Sequence, residues 1–400
     1  MQKFGGTSVG SLERIEAVAE QIIQTKSRGH QVVAVLSAMS GETNRLLDLA
    51  HQLDANPSPR ELDMLLASGE QVSISLLAMA LIKRGYSAVS LLANQIGLRT
   101  NNRFNKARIK YIDNTRMLTE LQQGHVVIVA GFQGCDDEGN VTTLGRGGSD
   151  TSAVAIAASL QAKECQIFTD VDGVYTTDPR IEAQAKKLDQ VSFEEMLEMA
   201  SSGAKVLHSR SVEFAGAHKM PLRVLSSFKS GSGTKINFNE ANLTNNPVTA
   251  IASQKDEAML TLFGISNDSL LKKELFLALA EADIEVDMIQ QASINHKSND
   301  LIFTLHRNDY LKADEIVNGL IRSNLLDKSC GDDKLVKMSL IGSGIRSNTK
   351  VSRQLFECLH ENNIELFLIS SSEIKISFLV KPQVHDLLVK ALHQKFKLDQ

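Results

Sequence analysis

At 400 residues the chain is long enough for two or three domains, and 42% of it is apolar, enough for a sizeable core. A formal net charge of -4 gives no reason to expect a nucleic-acid or anionic-membrane partner. No apolar run approaches the ~18 residues needed to span a bilayer, and no basic-then-apolar leader opens the chain.

Over residues 1–230 strand-like and helix-like segments alternate. Leu12–Thr25 and Glu61–Leu81 are amphipathic, while Val32–Leu36, Ala88–Leu92, Val126–Ala130 and Gln166–Thr169 are short apolar runs of buried-strand length. Ser192-Phe-Glu-Glu195 is a capping box opening a helix over Phe193–Met199. Leu222–Ser226 is one more strand. The alternation predicts an α/β fold with a mostly parallel sheet between two layers of helices. Residues 231–250, rich in Gly, Ser and Asn, are expected to be a linker.

Two similar stretches follow. In 251–330, Met259–Gly264 is a strand, Ser269–Ala282 a helix, Ile284–Ile289 and Leu301–Leu305 strands and Ala313–Ser323 a helix. In 331–400, Leu335–Gly342 is a strand, Val351–Glu361 a helix, Ile364–Ile369 and Ile374–Val380 strands and Val384–Phe396 a helix. The element order matches, which predicts two ferredoxin-like modules side by side.

Three segments carry the chemistry. Lys3-Phe-Gly-Gly-Thr-Ser8 sets a pair of glycines before a helix, where backbone N–H groups can approach an anion, and Lys3 adds a point charge suited to a phosphate. Thr142-Thr-Leu-Gly-Arg-Gly-Gly-Ser-Asp-Thr-Ser152 is a second glycine-rich helix entrance. Its Arg146 offers a fork matched to a carboxylate, and Asp150 a partner for a lysine or for Mg²⁺. Phe168–Arg180 leaves a strand with three Asp, a Tyr and an Arg, in the place where open α/β sheets hold ligands. Two glycine-rich entrances fit two anionic ligands better than one. No HxxxH or HExxH spacing occurs, so zinc is not expected. The four cysteines (Cys135, Cys165, Cys330 and Cys358) lie far apart, as suits reduced and mostly buried thiols in the cytoplasm.

With Val35-Leu-Ser-Ala-Met39, Met64-Leu-Leu-Ala-Ser-Gly-Glu70, Gly131-Phe-Gln-Gly134 and Gly203-Ala-Lys-Val-Leu207, these segments resemble the amino acid kinase family, and within it the aspartate kinases. The C-terminal repeats resemble the paired ACT domains by which such enzymes sense amino acids. The resemblance implies transfer of the γ-phosphoryl group of ATP, bound with Mg²⁺, to the side-chain carboxylate of L-aspartate, the first step towards lysine, threonine and methionine. It implies that Lys3, Arg146 and Asp150 are catalytic. Ser37, Thr43, Glu70, Arg146, Gly147, Gly148 and Ser149 would hold aspartate, Glu70 through the ammonium. Lys3, Phe4, Gly5, Gly6, Ser149, Thr169, Asp170, Tyr175, Asp178, Arg180 and Lys205 would surround the nucleotide. Asn267, Asp287, Gln291, Asn348, Ser372 and Glu373 would form effector sites for lysine or threonine. It further implies strands exchanged between the two ACT modules and a homodimer or higher homo-oligomer. The alternatives are another amino acid kinase, or a non-catalytic amino-acid-sensing subunit.

Two features depart from the family pattern. Relatives normally carry several apolar residues before Lys-Phe-Gly-Gly, where this sequence has Met1 and Gln2. The expectation is a chain that begins a few residues earlier or a first strand cut short, with restored apolar residues raising stability and activity. Effector loops that normally contain Pro-Gly read Asn267-Asp-Ser-Leu270 and Asn348-Thr-Lys350. Added bulk there implies feedback inhibition that is weak, altered or absent.

Overall fold

The structure, a computed structural model, describes residues 1–204, 206–238, 246–266, 269–293, 298–322, 326 and 328–400. Contacts divide the chain into two units. The first comprises Met1–Tyr175, Lys187–Ser201 and Lys205–Thr244; the second comprises Thr176–Lys186, Ser202–Ala204 and Asn245–Gln400.

The first unit contains the strands β1 (Gln2–Phe4), β2 (Val33–Leu36), β3 (Ala88–Leu91), β4 (Leu98–Thr100), β5 (Ile109–Ile112), β6 (Val126–Ala130), β7 (Gln133–Cys135), β8 (Val141–Thr143), β9 (Cys165–Thr169), β10 (Gln190–Ser192), β11 (Leu222–Ser226) and β12 (Thr234–Asn237). Its helices are α1 (Leu12–Ser27), α2 (Glu42–Leu53), α3 (Pro59–Leu66), α4 (Ser68–Lys83), α5 (Thr115–Gln122), α6 (Gly148–Ser159), α7 (Phe193–Ser201) and α8 (Ser209–Ala217). Eight strands form one sheet in the order β10-β12-β11-β9-β1-β2-β6-β3. All its pairings are parallel except β11 with β12. The central strands β2 and β6 are continuous Val/Ala/Ile/Leu runs buried at every position, as a sheet covered on both faces requires. β4, β5, β7 and β8 form a small second sheet.

Helix α1 starts where the Ser11 side chain accepts a hydrogen bond from Arg14 N. Its Ile15, Val18 and Ile22 join Ile74, Leu77 and Leu81 of α4 on Phe4, Leu36 and Ile128 of the sheet. Each such side chain contributes about 1.5–3 kcal/mol on burial. Side chains alternate along a strand, so Phe4 enters this layer while Lys3 faces the other way, towards α6. Helix α6 is buried through Ala153–Ala157 and contacts β1, β2 and β9.

The stretch Pro59–Lys83 is long and apolar enough to cross a bilayer by length and composition, although no single apolar run in it is that long. Helices α3 and α4 abut there at Ala67, and 56% of the most apolar part is buried in the protein. Its apolar character is that of a core helix laid on β3 and β6.

The second unit contains β13 (Ala250–Ser266), α9 (Ser269–Glu281), β14 (Val286–Ser293), β15 (Ser298–His306), α10 (Tyr310–Arg322), β16 (Lys328–Ile341), α11 (Thr349–Glu361), β17 (Leu368–Ser371), β18 (Lys375–Val380) and α12 (His385–Lys395). Its sheet runs β14-β15-β13-β16-β18-β17. The start of β13, Ala250–Gln254, pairs with Lys337–Ile341, and its later part, from Glu257 on, pairs with both β15 and the start of β16. Each long strand therefore serves both repeats, and the boundary at 330/331 falls inside β16. Among the described residues, one large apolar cluster lies around Phe303 beneath α9 and α10, another around Phe378 beneath α11 and α12, and a smaller one joins Met288, Leu335, Leu368 and Leu379.

Other differences from the sequence expectations have local causes. Within the stretch 231–250, Thr234–Asn237 is a strand held by β10 and β11. The run Ile364–Ile369 becomes a strand only from Leu368, where pairing with β18 begins. Cys135, Cys165, Cys330 and Cys358 are free thiols, the first two and the last buried.

Candidate active site

Strands β9, β1, β2 and β6 are adjacent and parallel, so their carboxyl ends share one edge of the sheet. The glycine-rich segments gather there. Lys3 is 8% exposed, and its Nζ lies 2.6 Å from Asp150 Oδ1 in the first turn of α6. The pair is close but not aligned as a hydrogen bond, and Asp150 Oδ1 has no hydrogen-bond partner. Phe4 ends β1 with its ring stacked on Phe168, 4.7 Å between centroids. Gly5 N donates to Phe168 O, and Gly5 has Lys3 Nζ 3.5 Å from where a Cβ would be. A Cβ on Gly6 would lie 3.1 Å from Ala38 O, so the loop after β2 rests on this glycine.

That loop is tied to α4. Ser73 Oγ donates to Ser37 O at 2.8 Å, and Ala38 N donates to Glu70 Oε1 at 3.0 Å. A Cβ on Gly69 would come within 2.8 Å of Ala38 Cβ and 3.5 Å of Glu42 Cγ, so the starts of α2 and α4 meet at the loop. Ser37, Thr43 in the first turn of α2, and Glu70 are brought together in this way. Glu70 is 2% exposed, Oε2 has no hydrogen-bond partner, and burial pushes the carboxyl up to about 8 despite the backbone N–H bond. The side chain forms no ion pair among the described residues.

The Arg146 loop lies between two left-handed glycines, Gly145 (φ +75°) and Gly147 (φ +69°). Arg146 is exposed and has no ion pair among the described residues. Gly148 and Ser149 open α6, and Ser149 is buried against Gly131, where a Cβ would sit 2.9 Å from the Ser149 hydroxyl. Between them Phe132 holds a left-handed φ of +68°, which a bulky side chain rarely adopts; its N–H donates to Ser152 Oγ and its carbonyl accepts from Leu144 N.

Sequence reasoning missed the supports of this loop. Asp63, fully buried in α3, accepts from Asn105 N, Thr143 N and Thr143 Oγ1, and burial raises its pKa. Arg210 Nη1 donates to Leu144 O at 2.9 Å. A Cβ on Gly147 would come 2.3 Å from His208 Cγ. Nothing in a linear motif links residues 63, 105, 143, 208 and 210. Only an acid next to the apolar run Met64-Leu-Leu-Ala67 was available as a signal.

Of the remaining candidates, Thr169 Oγ1 donates to Asp170, and the Tyr175 hydroxyl donates to Asp172. Asp178 and Arg180 fall in the second unit and form a forked ion pair with each other, which holds the Asp178 carboxyl below the usual range. Lys205 and Asn267 lie outside the described residues. In the second unit the Asp287 carboxylate contacts Lys337, and Gln291 accepts from Lys272 Nζ at 2.8 Å. Asn348 caps α11 by accepting from Lys350 N, Glu373 pairs with Arg346, and Ser372 N donates to Lys375 O. Asp287 and Gln291 thus lie on β14, while Asn348, Ser372 and Glu373 belong to the second repeat. No cluster of three or more His, Cys, Asp or Glu side chains able to hold a metal exists among the described residues.

The site combines a buried cation, helix-start amides, a guanidinium without an ion pair and a buried acid with one oxygen not hydrogen-bonded among the described residues. It can hold anions and one ammonium. The amino acid kinase family model matches residues 2–226, and an ACT domain model matches 338–396. An aspartate kinase of Pseudomonas putida is 51% identical over 400 residues, covering 100% of this chain and 97% of that protein. The chain belongs to the aspartate kinases of the amino acid kinase family. Among solved members, E. coli aspartokinase III in complex with aspartate and ADP, called the R-state, is 28% identical with a TM-score of 0.84, covering 98% of both chains. The same aspartokinase in complex with lysine and aspartate, the T-state, is 29% identical with a TM-score of 0.77, covering 99% of this chain and 98% of that one.

Proposed function

We propose that the protein transfers the γ-phosphoryl group of MgATP to the side-chain carboxylate of L-aspartate, giving 4-phospho-L-aspartate and ADP. The observation that carries this is Glu70: a carboxylate 2% exposed, at the same sheet edge as the guanidinium of Arg146, with one Glu70 oxygen and the guanidinium both lacking a partner among the described residues. Together they match the ammonium and carboxylate of an α-amino acid. An acyl-blocked amino acid or a nucleotide acceptor would leave Glu70 without a cation.

The nucleophile has a reference pKa of about 3.9, so it is ionised at neutral pH and needs no base. The barrier lies in bringing two anions together, which positioning and charge neutralisation lower. Lys3 supplies charge to the transferring phosphoryl group, and Asp150, 2.6 Å away, orients it. Gly5, Gly6 and the first turn of α6 supply amides to the phosphates and carboxylates, with Ser149 beside them. Arg146 grips an aspartate carboxylate, and Ser37 and Thr43 line the pocket. Phe4, Thr169, Asp170 and Tyr175 flank the nucleotide, with Lys205 as a further contact. Mg²⁺ arriving with ATP neutralises phosphate charge and needs one or two carboxylates from the protein. Asp150, whose Oδ1 also faces Lys3 Nζ at 2.6 Å, would be the carboxylate to meet that need.

The reaction belongs in the cytoplasm, where ATP is available and thiols stay reduced. The ACT modules make the enzyme a homo-oligomer, at least a dimer. Lysine or threonine acts on it weakly: Asp287 already pairs with Lys337, which also lies 3.4 Å from Glu257, so an effector ammonium has to compete with an internal one. Trapping the acyl phosphate as a hydroxamate tests the reaction. The expected result is ATP-dependent hydroxamate from L-aspartate and none from N-acetylaspartate. Equal product from both, or none from aspartate, overturns the proposal.

A further inference from the structure

We propose that His208 is a positioning residue for aspartate recognition: its ring is the seat on which Gly147 rests, and through Gly147 it holds the loop that aims Arg146. This rests on the assignment of Arg146 to the aspartate carboxylate. Arg146 is a long, exposed side chain with no partner among the described residues, so its direction depends on its backbone. That backbone turns through Gly145 and Gly147, both at positive φ, and is soft by composition.

The surroundings make it rigid. On the Gly145 side a Cβ would lie 2.7 Å from Asn105 O, and Asn105 is itself fixed by Asp63. On the Gly147 side a Cβ would lie 2.3, 2.4 and 2.8 Å from His208 Cγ, Cβ and Cδ2, so the ring covers the glycine directly. His208 is fixed in turn. Its carbonyl caps α8, accepting from Ser211 N, Val212 N and Ser211 Oγ. Two residues on, Arg210 holds Leu144 O. The start of α8 therefore grips the loop at two points.

The contact is steric: the ring atoms of His208 lie over Gly147, and its buried Nδ1 has no hydrogen-bond partner among the described residues. Facing the ring are Arg210 and Arg146, which disfavour its protonation, and Asp150 and Glu213, which favour it; burial is the largest influence and lowers its pKa. In acid a protonated His208 would place a third positive charge beside Arg146 and Arg210 and create a buried N–H without an acceptor. The seat then loosens.

The test compares His208→Ala and His208→Phe in the full chain by hydroxamate trapping, with thermal melting alongside. His208→Ala removes the seat and raises the KM for aspartate about tenfold or more, while the KM for ATP changes less than about twofold. His208→Phe keeps a flat ring and leaves the aspartate KM within about threefold of the parent. It also removes the part of the acid-side rise in aspartate KM that comes from His208, leaving the part set by Glu70. An unchanged aspartate KM in a folded His208→Ala overturns the proposal. So does His208→Phe failing as His208→Ala does, which would mean the nitrogens matter. If His208→Ala does not fold, the His208→Phe profile alone decides. Absence of any aspartate phosphorylation by the parent protein would instead refute the proposed function.

Discussion

Glu70 supplies the sharpest prediction. Burial raises its pKa from 4.5 to about 8, and the hydrogen bond from Ala38 only partly opposes this. A shift of that size corresponds to about 5 kcal/mol between the two protonation states. The folded pKa is raised, so the folded protein binds the proton more tightly than the unfolded chain. Its contribution to stability is fully present below pH ~4.5 and is lost as the pH rises through about 8. Aspartate binding works against this, because its ammonium needs the carboxylate form. At pH 7 Glu70 is roughly 90% protonated, so binding releases about 0.9 proton. Calorimetric titration of aspartate into the protein at pH 7, in two buffers of different ionisation enthalpy, measures that number. The aspartate KM is expected to fall between pH 6.5 and 8.5. Glu70→Gln abolishes proton release, raises the aspartate KM about a hundredfold, and removes the loss of stability near pH 8. Tight aspartate binding with no proton release, or an unchanged KM in Glu70→Gln, refutes the reasoning.

Lys3→Met should lower kcat by about a thousandfold with a much smaller effect on aspartate KM, because the lost charge acts on the transferring phosphoryl group; a kcat within tenfold of the parent speaks against the role. Asp63→Ala leaves the donors on Asn105 and Thr143 without an acceptor, at about 1–3 kcal/mol each, so urea unfolding should show a loss of roughly 3–5 kcal/mol. A change below 1 kcal/mol would mean that water replaces the carboxylate. Free lysine or threonine should inhibit weakly; half-inhibition by either at submillimolar concentration would show that Lys337 yields Asp287 easily.

The sequence by itself determined the class of fold and the ligand-holding segments. A buried parallel strand needs an unbroken apolar run, and Val33–Leu36 and Val126–Ala130 have one. Paired glycines before a helix also make ordinary tight turns, and it was two such entrances in one domain that made Lys3–Gly6 and Gly145–Asp150 stand out. The capping box at Ser192 is local chemistry, and it formed as written, with Ser192 and Glu195 bonded reciprocally. Short strands such as β4, β5, β7 and β8 could not be read, because a three- or four-residue strand exists only through its partners.

Tertiary structure alone decided the electrostatics and the supports. The burial that raises Glu70 depends on Gly69 and Ala38 meeting, more than thirty positions apart in sequence. The same holds for the seat of Gly147 on His208 and for the Asp63 bonds across eighty positions to Thr143. Nor could the sequence show that Asp178 and Arg180, within the kinase-like stretch, pack with the second unit, where Thr176 bonds His393 and Ile181 joins the apolar core. A residue's type sets which interactions it can make; which partner it meets, and how dry that meeting is, depends on contacts distant in the chain.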